Sequence, residues 1–105
     1  MLMVVCCRHK TEATLAPLEI VELGRSVFQE NCSSCHSLTG ESGARPGPSL
    51  ATARKSRDAT AIRESIIEPD RTVVPGYPPM PDSFQHLSER ELDAVVYFVA
   101  NEVKP

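Results

Sequence analysis

The sequence predicts a small all-helical domain with long loops. Three segments, residues 18–31, 58–68 and 88–103, repeat apolar residues at the three-to-four-residue spacing of one helix face. No segment alternates convincingly at the period of two that a half-buried strand requires. The chain has 105 residues, of which 5% are aromatic and none is tryptophan. Because side chains alone form a marginal core at this size, the composition indicates that another group helps to fill it.

The first predicted helix is amphipathic and contains one glycine. Its apolar face consists of Ile20, Leu23, Val27 and Phe28, and Gly24 shares that face with Phe28. A glycine inside a helix costs about 1 kcal/mol relative to alanine. It is tolerated best where another part of the chain packs against the backbone, so its position indicates a close approach there.

The other two predicted helices carry end signals. Asp58 and Thr60 are the candidate N-caps of the second helix, and Pro69 ends it. The apolar face of this helix comprises Ala59, Ile62, Ile66 and Ile67. Ser88 and Glu91 form a predicted capping box at the start of the last helix. Its apolar face comprises Leu92, Val95, Val96, Val99 and Val103.

The remaining segments are a leader and two long loops. Residues 37–53 are rich in Gly, Pro and Ser, and four prolines in residues 73–81 exclude both a helix and a central strand. Residues 1–17 are expected to be a leader, and residues 18–105 the domain. Two alternatives stay open for the leader, a disordered segment or the remnant of a signal or lipid anchor with Cys6 or Cys7 as the lipid acceptor.

One motif carries chemistry, Cys32-Ser33-Ser34-Cys35-His36. The pattern Cys-x-x-Cys-His is typical of a c-type haem attachment site. Two thiols one helical turn apart can form thioethers with the two vinyl groups on one edge of a porphyrin. His36 then binds the iron through a neutral imidazole nitrogen, and its other nitrogen needs an acceptor. The sequence therefore predicts one haem c, attached through Cys32 and Cys35.

Three other interpretations of the cysteine pair compete with haem attachment. A dithiol redox pair normally lies near a βαβ pattern, which this sequence lacks. A zinc site needs about four ligands. Outside the motif the available ligands are Cys6, Cys7, His9 and His86, none of them in a second Cys-x-x-Cys. An incidental disulfide is the third interpretation.

The second axial ligand of the iron has three candidates, Met80, His9 and His86. Met80 lies among prolines in residues 76–81, where no helix face needs it as core filler. Rigid presentation suits a weak thioether ligand, because the loop loses little entropy on binding. Met80 is therefore the predicted ligand, and His86 and an open sixth site are the alternatives.

The order of these motifs resembles the class I c-type cytochromes, from about residue 18 to the C terminus. The matching motifs are a helix with Gly24 and Phe28, the haem motif at 32–36, Gly47-Pro48-Ser49-Leu50, the Met80 loop and a last helix with Val95 and Phe98. The resemblance implies an all-α cytochrome c fold, with three to five helices wrapped round one covalently bound haem and long Pro/Gly loops. It also implies that the Pro48 carbonyl accepts a hydrogen bond from His36, and that Val95 and Phe98 cross the first helix near Gly24.

The expected haem pocket is apolar and is lined by Leu50, Ile62, Ile66, Tyr77, Phe84 and Val95. With His36 and Met80 as ligands, no iron position is left for oxygen or peroxide, so one-electron transfer by a carrier, not an enzyme, is expected. The alternative is a haem domain with an open or labile sixth site, peroxidase-like or ligand-sensing.

The basic residues Arg54, Lys55 and Arg57 are the candidate partners of a haem propionate. The other interpretation of these residues is a solvated basic turn.

A closer likeness lies in residues 64–69, 74–81 and 87–89. These segments are similar to the cytochrome c domain of subunit II of caa3-type oxidases and to related mono-haem domains of respiratory complexes. The likeness implies a free-standing or complex-associated relative whose partners are a quinol-oxidising complex or a terminal oxidase. Haem c maturation in the family implies the periplasm or the outer face of the bacterial inner membrane. Membrane association would come from a complex or a lipidated N-terminal cysteine.

Charge and hydropathy limit the classes of partner that the chain is expected to bind. The net charge of −3 argues against nucleic acid, and no apolar run approaches the roughly 18 residues of a membrane span. Residues 45–71 carry six basic and four acidic side chains, whereas residues 82–105 carry two basic and five acidic ones. We expect this uneven charge to favour weak, salt-sensitive docking with a redox partner.

Overall fold

A computed structural model describes residues 17–39, 45–71, 73–82 and 84–103. In these residues the secondary structure is all helical, as predicted. The helices are α1 (Pro17–Asn31), α2 (Leu50–Ala53), α3 (Ala59–Ile67) and α4 (Glu89–Glu102). The predicted leader, with Cys6, Cys7 and His9, lies outside the described residues except for Pro17.

The helix ends follow from local chemistry. Helix α1 begins at Pro17, one residue earlier than predicted. Proline has no backbone N–H, and at the first position of a helix an N–H would have no partner within the helix, so proline is well suited to it. Asp58, rather than Thr60, is the N-cap of α3, and its carboxylate accepts a hydrogen bond from the Ala61 amide at 3.0 Å. The predicted capping box of α4 is confirmed, since Ser88 and Glu91 each accept a hydrogen bond from the other's backbone amide.

Helix α2 is an element that the sequence did not predict. Its four residues are too few to show a helical repeat of apolar residues. Ser49 caps it, with Oγ accepting a hydrogen bond from the Thr52 amide at 3.1 Å and donating one to Thr52 Oγ1 at 2.9 Å. Ser49 is fully buried, so this short helix anchors the predicted loop to the interior.

The core centres on the crossing of α1 and α4. A Cβ atom on Gly24 would lie 2.3 Å from the Ala94 carbonyl oxygen and 2.6 Å from Phe98 Cβ, so only glycine permits this approach. The rings of Phe28 and Phe98 pack with centroids 6.1 Å apart, and Val95 is also fully buried. The predicted crossing near Gly24 is therefore confirmed.

Part of the predicted apolar face of α3 was wrong. Ile62 and Ile66 are buried, but Ala59 is exposed and Ile67 is 40% exposed. Consecutive helical residues point about 100° apart, so Ile66 and Ile67 cannot both face the core. Among the described residues, no helix is long and apolar enough to cross a membrane.

Candidate functional site

The cysteine motif continues the helical turn at the end of α1. The Cys32 amide donates to the Phe28 carbonyl at 2.8 Å, and the His36 amide donates to the Cys32 carbonyl at 2.9 Å. Asn31 Nδ2 donates to the Val27 carbonyl at 3.0 Å, so the last turn of α1 is held closed. This turn places Cys32 and His36, four residues apart, on the same side of the chain.

An apolar cleft opens beside this turn. The empty space within it, counted together with its solvent-open mouth, is about 820 Å³, and its lining is almost entirely apolar. Six of the seven predicted site residues line it, namely Cys32, His36, Pro48, Leu50, Tyr77 and Met80. Cys35 is partly buried but does not line the cleft.

The rest of the predicted pocket is mostly present. Ile62, Ile66 and Val95 line the cleft as expected. Phe84 packs against the apolar core and is not among the residues that line the cleft, so that expectation is not met. Sequence reasoning missed several further lining residues, which are Phe28, Ala53, Ser65, Pro69, Val73, Val74, Pro78, Pro79 and Val99.

A hydrogen bond determines the tautomer of His36. Its Nδ1 lies 2.7 Å from the Pro48 carbonyl oxygen. A carbonyl oxygen only accepts, so Nδ1 must carry the proton and donate it. The neutral ring then keeps the lone pair on Nε2 for a metal. The geometry agrees with the expectation that Pro48 is the acceptor for His36.

Gly47 shapes the space around His36. A Cβ atom there would lie 2.5 Å from His36 Cε1, 2.8 Å from Nδ1 and 3.0 Å from Nε2. The imidazole thus occupies the space that a side chain at position 47 would need. The Gly47 amide donates to the Cys35 carbonyl at 2.8 Å and the Leu50 amide donates to the Ser37 carbonyl at 2.8 Å. These bonds tie the Gly47-Pro48 segment to the cysteine motif.

A tight turn precedes Met80. The Tyr77 amide donates to the Val74 carbonyl at 3.1 Å, and Gly76 has a φ of +92°. Proline at the second position and a positive φ at the third are features of a type II turn, and the third position therefore favours glycine. The turn leads into the segment that carries Met80, whose half-buried side chain packs against the core and lines the cleft.

The two thiols of the motif differ in environment. Burial, and to a lesser extent the neighbouring Cys35 thiol, raises the pKa of Cys32 from 9.0 to about 11. Both cysteines are free thiols in this structure. Cys32 therefore behaves as a protonated, apolar lining group in the haem-free chain.

Basic residues border the cleft at the turn between α2 and α3. Arg54 and Arg57 line the cleft, whereas the third candidate for a propionate partner, Lys55, is exposed and does not line it. The Nε atoms of both arginines are buried and have no hydrogen-bond partner. Two such donors fit a negatively charged group of a bound cofactor.

The alternative ligand His86 lies away from the cleft. The His86 Nε2 atom faces Asn31 Oδ1 at 3.2 Å, and His86 does not line the cleft. Among the described residues, no three His, Cys, Asp or Glu side chains are grouped closely enough to hold a metal ion. The cysteine motif, the Nε2 lone pair of His36 and the apolar cleft fit a thioether-linked haem.

The fold and the cleft define a c-type haem protein, and a comparison with known families agrees. The family model for cytochrome c matches residues 21–102. The chain belongs to the cytochrome c family, an assignment that implies covalently bound haem c and haem-based electron transfer. Among curated proteins, no match to the chain is found.

Proposed function

We propose that this chain is a mono-haem electron carrier of a respiratory chain, with His36 and Met80 as the two axial ligands. The observation that carries the proposal is the shared cleft. His36, with its proton on Nδ1, and Met80 line the same apolar cleft from separate segments of the chain.

When bound, haem c supplies one-electron chemistry at its iron. The chain contributes the environment. His36 offers Nε2, and its bond to the Pro48 carbonyl fixes the ring orientation and increases its basicity as a ligand. Met80 offers a thioether, which raises the reduction potential. The apolar lining excludes water, which also disfavours the extra positive charge of the oxidised state.

Arg54 and Arg57 complete the charge arrangement. Both side chains line the cleft with their Nε atoms buried, and their positive charge there would neutralise a haem propionate. Lys55 is exposed and does not line the cleft, which favours the two arginines for this role.

The partners and location rest on the family likeness and on charge. The proposed partners are a quinol-oxidising complex or a terminal oxidase, and the proposed location is the periplasm or the outer face of a bacterial inner membrane. A relation to the cytochrome c domain of caa3-type oxidases, as a free carrier or as part of a complex, belongs to the same proposal. The uneven charge between residues 45–71 and 82–105 predicts that electron exchange with such a partner slows as ionic strength rises.

The experiment that tests the axial ligands compares two variants of the haem-loaded protein. Met80→Ala removes the proposed ligand, and His86→Ala removes the alternative one. We expect Met80→Ala to abolish the weak far-red iron–sulfur band and to allow rapid carbon monoxide binding after reduction. His86→Ala should retain the band and exclude carbon monoxide. Rapid carbon monoxide binding by the unmodified protein would instead support the open-site alternative.

A further inference from the structure

The turn between α2 and α3 holds two guanidinium groups with incomplete hydrogen bonding. Arg54 Nε and Arg57 Nε are both buried without a partner. A buried donor without a hydrogen-bond partner destabilises the folded chain, and more so when it belongs to a charged group. Such groups are retained where something absent from the polypeptide completes them. The two arginines, however, differ in what their other nitrogens do.

Both terminal nitrogens of Arg54 donate hydrogen bonds to backbone carbonyls. One donates to the Arg57 carbonyl, and the other donates to the Ala100 carbonyl at 3.0 Å. The Arg54 amide also donates to the Leu50 carbonyl at 2.9 Å, which closes α2. Arg54 therefore bridges the turn that contains Arg57 and a helix 46 positions further along the sequence.

The Ala100 carbonyl is a specific point of attachment. It lies in the last turn of α4, where carbonyls lack partners within the helix. That turn contains no basic residue of its own. A guanidinium that donates there satisfies a carbonyl and opposes the negative end of the helix dipole. Arg54 thus couples the wall of the cleft to the end of a helix that forms the core.

We propose that Arg54 is a positioning residue for Arg57. Arg54 donates hydrogen bonds to the Arg57 and Ala100 carbonyls and thereby holds the turn 54–57 against α4. This leaves Arg57 aimed at the cleft, where it contacts a carboxylate of the bound cofactor. The inference rests on the proposed function, because the carboxylate belongs to the haem. It assigns different tasks to two arginines that sequence reasoning could not distinguish.

The planar fork of arginine suits this task. Two nitrogens in a fixed geometry can reach two carbonyls at once, whereas the lysine ammonium is a compact charge on a flexible stem. Arg54→Lys therefore keeps the positive charge but cannot donate to both carbonyls in the same fixed geometry. Any change in reduction potential in this variant reports a displaced Arg57 rather than a lost charge at position 54.

The test is a double-mutant cycle on the haem-loaded protein, with the one-electron reduction potential as readout. Arg57→Gln should favour the oxidised form at least about threefold, which is about 28 mV at 59 mV per tenfold. Arg54→Lys should shift the potential in the same direction. Combined with Arg57→Gln it should add nothing further, because residues acting through one contact are not additive. Lys55→Gln removes an exposed neighbouring charge and should leave the potential unchanged.

Amide hydrogen exchange gives an independent readout. Arg54→Lys and Arg54→Gln should accelerate exchange in the last turn of α4, whereas Arg57→Gln should not. An unchanged potential in Arg54→Lys would reduce Arg54 to a structural role and overturn the inference, as would additive shifts in the double variant. Failure of the proposed function is separable, because an unmodified protein without a low-spin c-type spectrum would fail before any arginine is changed.

Discussion

Gly47→Ala is the substitution that most directly probes the proximal side of the cleft. Its added Cβ would lie 2.5 Å from His36 Cε1, and ordinary contact begins at 3.4 Å. The imidazole or the backbone must therefore move by about 0.9 Å. The backbone has little freedom, since the Gly47 amide is bonded to the Cys35 carbonyl. We therefore expect the His36 imidazole, rather than the backbone of residue 47, to move.

The consequence for His36 can be worked out from its hydrogen bond. The Nδ1 to Pro48 oxygen distance is 2.7 Å, and such bonds extend to about 3.2 Å. A displacement of about 0.9 Å exceeds this margin, so the bond is lost or badly bent. Losing it costs about 0.5–1.5 kcal/mol, and overpacking adds about 1–3 kcal/mol. The less basic imidazole also stabilises oxidised iron less well, so the reduction potential should rise.

The assay is potentiometry of the haem-loaded variant together with guanidinium unfolding. Gly76→Ala is the matched control, because nothing lies within 4 Å of its added Cβ and its cost comes from the positive φ alone. That control should weaken the far-red band of Met80 through its turn and leave the His36 hydrogen bond intact. If Gly47→Ala has an unchanged potential and an unfolding free energy within about 0.5 kcal/mol of the original, the reasoning about His36 is refuted.

Four further predictions concern stability and thiol chemistry. Gly24→Ala should destabilise the protein by about 1–3 kcal/mol in denaturant unfolding, while Ser26→Ala, exposed on the same helix, should change it by less than about 0.5 kcal/mol. Ser88→Ala should cost about 1 kcal/mol through loss of the N-cap, and an unchanged melting temperature would contradict this. In the reduced, haem-free chain, iodoacetamide should modify Cys35 before Cys32, because the raised pKa keeps the Cys32 thiol protonated. Since the folded state holds that proton more tightly than the unfolded chain, stability should fall as the pH rises from about 9 to about 11. Equal alkylation rates would show that the cleft does not form without haem.

Local patterns in the sequence were sufficient for the three longer helices. The capping box joins Ser88 and Glu91, and the apolar repeat around Phe28 joins residues three or four positions apart. Each signal lies within about one helical turn, so it can be recognised without the tertiary structure. The cysteine motif is equally local, and its spacing alone indicates haem attachment.

What the sequence could not predict depends on distant contacts. Arg54 and Ala100 are 46 positions apart, and no pattern links them before the chain folds. Phe84 was expected in the pocket but does not line the cleft, because sequence alone does not determine which way the side chain of a loop residue turns. The close approach of the His36 ring to position 47, which leaves no room for a Cβ atom, is likewise visible only in three dimensions.

The absorption spectrum of the chain, oxidised and reduced, after export with a c-type maturation system tests the central claim most directly. The account predicts a low-spin c-type spectrum whose oxidised form shows the weak far-red iron–sulfur band, as His36 and Met80 ligation requires. A high-spin spectrum would contradict Met80 as a ligand and favour an open sixth site. A protein that carries no haem, with Cys32 and Cys35 still open to alkylation, would contradict the account as a whole.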